Sequence, residues 1–487
     1  MGAERVNPES LTDDPPPPLA VQAVTAPLGI DEDGGGNGSR SRYRPLPTGA
    51  HGLAREEVER DQRERLTLAM IDLIARHGYE AVRILDLTQL ARVSRPTFYE
   101  LYADKEALLL GTYDGIAERI AEVVIEAYDA DGPLRGRLQL AIRVFAELAA
   151  AEPEAMSLFL FGALGAGPKA LEGRNRALEA FEASLESGRD GAVPQHPGDL
   201  TVKLIMGGIR EVAAARLRHH REHELTELSG ELAAWAARYP PQLPASLLRA
   251  LPPRLAPPEQ TPDAGSQRAR PLRGRLPSGR HDLPRAFVVK TQRERIVDAT
   301  AAIVAEKGLA GLTVSEIATR AKVSHATFYA MYSTKRDAFL GAQKVGMHQA
   351  FRIAVEAYEA HRQEDWSRAV AAGLRALIAY LHSEPAHAHL SIVDTFAASP
   401  ETLKVRDETL GAFAAYLGPG ERPAGADRDV PAIAPEAVVG GIWQILHHYI
   451  ANDRLTELVD NTEQLIFLTL VPFLGAEEAA RAALHPS

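Results

Sequence analysis

The side chains of this 487-residue chain best placed for chemistry fall in two short stretches, VSRPTFYELYADK at residues 93–105 and VSHATFYAMYSTK at residues 323–335. Ser94 and Ser324 precede a short helical run and have the hydroxyl that caps a helix start. Arg95 and His325 take the first helical position after that cap. In the second helix of a helix-turn-helix, residues at this position point into the major groove. Arg95 can read guanine through two hydrogen bonds, whereas His325 can give or accept one and discriminates less. Pro96 and Ala326 can touch a thymine methyl, and Thr97 and Thr327 can reach a base edge or a phosphate. Phe98 and Phe328 read as core.

The elements that must position these residues recur as well. Residues 46–110 align without a gap on residues 276–340, and 23 of the 65 positions are identical. A period of 230 residues is too long for a solenoid unit and reads as duplication of a whole domain. Each copy opens with an amphipathic helix, with Leu66, Met70, Leu73 and Ile74 on one face in the first and Ile296, Ala299, Ile303 and Val304 in the second. Gly78 and Gly308 fall where a helix carboxy-terminal cap is expected. Thr313, with Glu316 three residues on, forms a capping box for the next helix. Arg83 and Asp86 stand there in the first copy, so the box is lost. About three residues separate the two short helices, the helix-turn-helix spacing. A long helix follows from about Lys105 and Lys335.

Beyond each head the pattern stays helical, over residues 141–151, 171–186, 200–218 and 225–239, and over 366–381, 390–397, 401–417, 435–451 and 462–473. No strand-like alternation appears, so the fold class is all-α. Residues 1–44, with four consecutive prolines and a run of acids and glycines, form an acidic tail expected to be disordered. Residues 241–284 are rich in Pro, Arg and Gly and read as a linker. About 40 semi-extended residues reach roughly 100 Å, whereas half-sites one DNA turn apart need about 34–36 Å.

Composition narrows the function. The absence of cysteine excludes disulfides and thiolate chemistry. A net charge of −11 argues against a uniformly basic nucleic-acid binder, yet residues 268–295 hold nine Lys or Arg against two Asp or Glu. That segment reads as a minor-groove arm or as a solvated linker. The most apolar region, residues 138–164, is interrupted by Arg143, Glu147, Glu152, Pro153 and Glu154 and is too broken to span a bilayer. No signal peptide is evident, and no membrane partner is expected. His219, His220 and His223 cluster on one predicted helix and His447 and His448 on another, but no acidic metal-site pattern accompanies them. No hydrolase, nucleotide or dinucleotide motif occurs, so neither an enzyme nor a cofactor or metal is expected.

The pattern of helix, Gly, TVSEIA, then VSxxTFYxxYxxK resembles the DNA-binding domain of the TetR family of transcriptional regulators. Residues around Gly207 to Ile209 and Gly440 to Ile442 resemble that family's helical regulatory region. The resemblance implies two TetR-like units, each a three-helix head plus a ligand-binding and dimerisation region, packed as an intrachain pseudo-dimer. The expected domains are a tail (1–44), first head (45–110), first regulatory domain (111–240), linker (241–284), second head (285–340) and second regulatory domain (341–480). Tyr99 and Tyr329 resemble the family's phosphate-contacting tyrosine, and Lys105 and Lys335 its phosphate-contacting lysine. With Ser94, Arg95, Pro96, Thr97, Thr313, Ser324, His325, Ala326 and Thr327 they make up the expected DNA contacts. An apolar effector is expected between Phe145, Phe159, Phe161 and Phe181 in one unit, or Tyr380, Phe396, Phe413 and Trp443 in the other. The implied function is a cytoplasmic, nucleoid-associated repressor, monomeric through its pseudo-dimer, that binds a double-stranded operator with two unlike half-sites. Two other readings stay open. In one, only the second head binds DNA and chains pair, since the first head carries Glu56, Glu57, Glu59, Asp61 and Glu100 where the second has Ala286, Phe287, Val289, Thr291 and Ala330. In the other, the protein binds small molecules or acts as a scaffold without DNA.

Overall fold

The computed structural model describes residues 43, 54–130, 132, 134–162, 200–240, 242–250, 284–395, 400–422 and 429–485. The expected helix at 171–186, Phe181, Phe396, most of the tail and the basic half of the linker lie outside the described residues. Tyr43, within the stretch read as tail, is buried and its phenol donates to Asp72 at 2.7 Å.

Among the described residues every regular element is helical, with no strand. The first unit comprises α1 (Arg55–His77), α2 (Ile84–Ala91), α3 (Arg95–Leu101), α4 (Lys105–Tyr128), α5 (Leu134–Ala151), α6 (Pro153–Leu160), α7 (Thr201–Arg218) and α8 (Glu224–Ala236), then a short α9 (Ala245–Ala250). The second comprises α10 (Arg285–Lys307), α11 (Val314–Ala321), α12 (His325–Tyr329), α13 (Lys335–His361), α14 (Trp366–Ser383) and α15 (Pro385–Ala388). A π-helical turn, His389–Val393, follows, and then α16 (Pro400–Ala415), α17 (Ala434–Ala451), α18 (Leu455–Asp460), α19 (Thr462–Leu474) and α20 (Ala476–Leu484).

The heads form as local chemistry dictates. Gly78 and Gly308 stop α1 and α10 at φ of 73° and 67°, and their amides close onto Ile74 and Val304. The helix-turn-helix turn is made without glycine. Arg92 and Lys322 adopt left-handed φ of 52° and 51°, a conformation that costs an L-residue about 1–2 kcal/mol. In the first head buried Arg65, ion-paired to Asp61, holds that turn by donating to the carbonyls of Ala91 and Arg92. The second helix of each head starts differently from expectation. Thr313 accepts from the Glu316 amide, but the Glu316 carboxylate turns to Lys307, so only one half of the box forms. Arg83 cannot accept, yet Asp86 accepts from the Arg83 amide and guanidinium and supplies the other half. Each head therefore keeps the half of the cap that its own side chains permit.

The two units meet through α7 and α17, which make the most extensive packing between any two elements among the described residues. Glycines set the distance. A Cβ on Gly208 would lie 2.4 Å from the Ala437 carbonyl oxygen, and one on Gly441 2.5 Å from that of Leu204. A Cβ on Gly207 would lie 2.8 Å from the Gln444 Cβ, and one on Gly440 2.7 Å from the Glu211 Cβ. These contacts pair off across a local two-fold relation between the units. Charged groups then tie the seam. Glu211 of α7 is buried against Arg406 of α16 at 2.5 Å and Arg218 at 2.9 Å, while Arg218 also reaches Asp407. Arg216 forks onto Glu436. The Tyr239 phenol donates to the Leu468 carbonyl at 3.2 Å, which carries the seam from the end of α8 to α19.

Residues 242–250, within the stretch read as linker, also pack. Leu243 and Leu247 are buried, and α9 lies against α20 of the second unit. The histidines 219, 220 and 223 do not share a helix: His219 caps the end of α7, His220 has φ of 53° and His223 precedes α8. Successive residues in a turn do not present one face, which removes the helical spacing that a metal pair would need.

Candidate nucleic-acid interface

The two heads present the same face built from different residues. In α3, Ser94, Arg95, Pro96, Tyr99 and Glu100 are exposed, Thr97 is half-buried and Phe98 is fully buried. In α12 and its two caps, Ser324, His325, Ala326, Tyr329 and Ala330 are exposed, Thr327 is half-buried and Phe328 is fully buried. Phe98 and Phe328 anchor their helices from below, each with an edge-on tyrosine, Tyr99 or Tyr329, at 5.4 Å. Those tyrosines are 47% and 58% exposed, far more than a core phenol, so a polyanion could reach their hydroxyls.

The caps constrain Ser94 and Thr97 together. Ser94 Oγ accepts from the Thr97 amide at 3.1 Å and lies 2.7 Å from its hydroxyl, and Ser324 repeats this with Thr327 at 3.0 and 2.9 Å. These hydroxyls fix where α3 and α12 begin, and so where Arg95 and His325 stand. The Arg95 guanidinium lies 5.8 Å from the Tyr99 ring centroid, within cation–π range. Thr313 caps α11, one helix away from the exposed face.

The lysines have an inward role. Lys105 Nζ donates to the carbonyls of Tyr79 at 3.0 Å and Val82 at 2.9 Å and sits 4.0 Å from the Tyr79 ring centroid. Lys335 Nζ donates to the Leu312 carbonyl at 2.9 Å. Each pins the start of a long helix, α4 or α13, to the loop that leads into the helix-turn-helix. Burial, and then nearby Glu106, push the Tyr79 phenol above its usual pKa.

Each head also matches a known family by sequence. The family model described as bacterial regulatory proteins, tetR family, matches residues 68–112 and again residues 296–341. The two heads belong to the TetR family. No curated protein matches the chain. Among solved structures, the fatty acid degradation regulator FadR from Bacillus halodurans is 17% identical, covering 36% of this chain and 96% of its own with a TM-score of 0.33. FadR from Bacillus subtilis, in complex with stearoyl-CoA, is 16% identical, covering 35% and 96% with a TM-score of 0.33. A TetR family transcription regulator from Marinobacter aquaeolei VT8 is 18% identical, covering 37% and 97% with a TM-score of 0.31.

Behind the second TetR-like head lies a cavity with about 1050 Å³ of empty space, open space at its mouth included. Its walls come from α13, α14, α15, the π-helical turn, α16, α17 and α19, and are almost wholly apolar. Tyr380, Phe413 and Trp443, three of the four residues expected to line it, do so. Burial, and then the charges of Glu384 and Asp298, push the Tyr380 phenol up to about 12, so it remains a neutral donor at ordinary pH. In the first unit, Phe145 and Phe159 are buried in core, and Phe159 stacks on Tyr113 at 5.4 Å. Phe161 ends α6 beneath the Arg218 guanidinium, 5.6 Å from its ring centroid. The polar residues His387 and Ser391 and the small Gly346 line the second unit's cavity too, and no sequence pattern marks them. Among the described residues, no group of three His, Asp or Glu is arranged to hold a metal ion, and no helix is long and apolar enough to cross a membrane.

Proposed function

We propose that this DNA-binding transcriptional regulator is a repressor that grips one operator with both heads of a single chain. The observation that carries the reading is the matched exposure of α3 and α12 with unmatched base-facing residues, Arg95-Pro96 against His325-Ala326. Tyr99 and Tyr329 serve as phosphate contacts that set register, while Arg95 and His325 discriminate sequence. Residues 45–110 and 285–340 act as the heads, 111–240 and 341–480 as the regulatory domains, and 241–284 as the tether that joins them. The α7–α17 seam replaces the interface by which two separate subunits would pair, so one chain suffices. An apolar molecule in the cavity of the second unit shifts the separation of the heads and releases DNA.

The operator then has two unlike half-sites. Footprinting with each half-site swapped tests this: the native order should bind best, and a perfect palindrome bound equally well would refute it.

A second reading is favoured by the charge of the first head. Exposed Glu100 on α3 stands where the second head has Ala330, just past α12. In that reading only the second head binds. Tyr99→Phe would then leave operator affinity unchanged while Tyr329→Phe lowers it; equal losses support the two-headed repressor.

A further inference from the structure

The cavity of the second unit is almost wholly apolar, and two adjacent polar side chains in its wall lack a hydrogen bond that they could make. Ser391, in the π-helical turn, is only 4% exposed, and its Oγ has no hydrogen-bond partner. His387 Nδ1 is likewise buried and unpartnered, while its Nε2 lies 3.2 Å from the Asp298 carboxylate. Both residues line the cavity. A buried hydroxyl left unsatisfied costs about 1–3 kcal/mol, so an arriving partner group would recover a sizeable penalty. Gly346, on α13, lets Ser391 sit close against that helix: a Cβ there would lie 2.4 Å from Ser391 Oγ and 3.8 Å from His387 Nδ1. π-Helical turns inserted in helices are frequent at functional sites, and here the turn supplies the cavity's polar wall.

The first unit shows how the same scaffold looks without this end. Glu152-Pro153 and Glu384-Pro385 are structural equivalents, with Glu152 at φ −126° and ψ 61° and Glu384 at φ −128° and ψ 61°. Counting on from them, Ala155 replaces His387 and Phe159 replaces Ser391. The ungapped repeat places Leu68 at the position of Asp298 and, continued along α4, Ile116 at that of Gly346. Ile116, Ala155 and Phe159 are all buried. The hydrogen-bonding groups are replaced by hydrocarbon, and Ile116 stands where Gly346 admits Ser391.

We propose that the second unit alone binds a neutral amphiphile, a long apolar body with a single hydroxyl-type end received by Ser391 Oγ and His387 Nδ1. This rests on the reading of that cavity as an effector site. A neutral end fits because no Lys or Arg lines the cavity and Asp298 stands directly behind His387. Asp298 belongs to α10, the first helix of the second head, so the polar end is one side chain away from the element that must respond.

Displacement of the fluorophore N-phenyl-1-naphthylamine from the full chain tests the assignment. The fluorophore should bind the wild type, and Ser391→Phe, which imports the first unit's residue, should abolish its binding while circular dichroism stays native. 1-Decanol should displace it at lower concentration than decanoate. Ser391→Ala and His387→Ala should each weaken 1-decanol by about five- to tenfold, the loss of one hydrogen bond, after correction for the fluorophore's own affinity measured on the same variant. If the fluorophore fails to bind, or binds Ser391→Phe undiminished, the effector-site reading falls. If it binds and is blocked by Ser391→Phe, but decanoate matches 1-decanol or both alanine variants bind 1-decanol as the wild type does, the polar-end assignment alone is overturned.

Discussion

At the scale of single residues, the heads separate groups exposed on the outer face from groups that hold that face in place. Tyr99 and Tyr329 point outward, whereas the ammonium groups of Lys105 and Lys335 bond to carbonyls of the preceding loop. Losing one should therefore differ from losing the other. Tyr329→Phe should reduce operator affinity several-fold on every sequence with no change in melting temperature. Lys105→Met should lower the stability of the head by about 1–3 kcal/mol, because two carbonyls lose a charged donor, and DNA affinity should fall with it. Urea denaturation of each variant beside a binding titration checks the pair, and a Lys105→Met protein of wild-type stability would sink the positioning role. Arg95→Ala should instead relax sequence preference at one half-site by about 1–3 kcal/mol, read from competition between single-base operator variants. The sequence marked all of these positions, because a cap, an exposed helix start and a buried phenylalanine are written within a few residues. It did not give the direction of the lysines, since the carbonyls that capture Lys105 lie 26 and 23 residues earlier.

Among the elements, α7 and α17 carry the association of the two units, and their glycines let the backbones approach. Gly208→Ala would push a methyl into the Ala437 carbonyl, a backbone atom that cannot swing away. It should cost about 1–3 kcal/mol of unfolding free energy. Gly230, exposed within α8 with nothing near its would-be Cβ, supplies the contrast. Gly230→Ala should stabilise by about 0.5–1 kcal/mol through helix propensity alone. Chemical denaturation of both variants decides the matter, and a neutral Gly208→Ala would mean that the helix contact is looser than the geometry requires. Hydrophobic periodicity placed most of these helices within a few residues. It passed over α6, α18 and α20, which are short and offer few turns for a 3.6-residue repeat to register.

For the molecule as a whole, one buried ion network joins the units asymmetrically. Glu211 of the first unit meets Arg406 of the second, while the two-fold-related position is Gln444, whose amide donates to the same carboxylate at 3.1 Å. Burial disfavours the ionised carboxyl, but the Arg406 and Arg218 guanidiniums outweigh it and hold Glu211 well below the usual carboxylate range. A carboxyl depressed in the folded state contributes stability that is fully present above its unfolded value, about 4.3, and is lost as pH falls from there toward the folded value. Glu211→Gln should cost about 3–5 kcal/mol at neutral pH by stranding buried guanidinium charge. The gap between variant and wild type should narrow below about pH 4. Urea midpoints measured from pH 7 to pH 3 test this, and a gap constant across that range would show that Glu211 is not depressed.

By itself, the amino-acid sequence determined that this protein is all-helical and that it carries two duplicated heads, and it marked the exposed starts of α3 and α12. Those features are local, since caps, periodicity and a thirteen-residue motif need only neighbours along the chain. Tertiary structure decided the rest. It paired Glu211 with Arg406 across 195 residues, set four glycines against one another at the seam, and brought Asp298, Gly346, His387 and Ser391 from separate elements to one end of a cavity. Partners so far apart in sequence are chosen by how helices pack, and that packing depends on the shape of both surfaces at once.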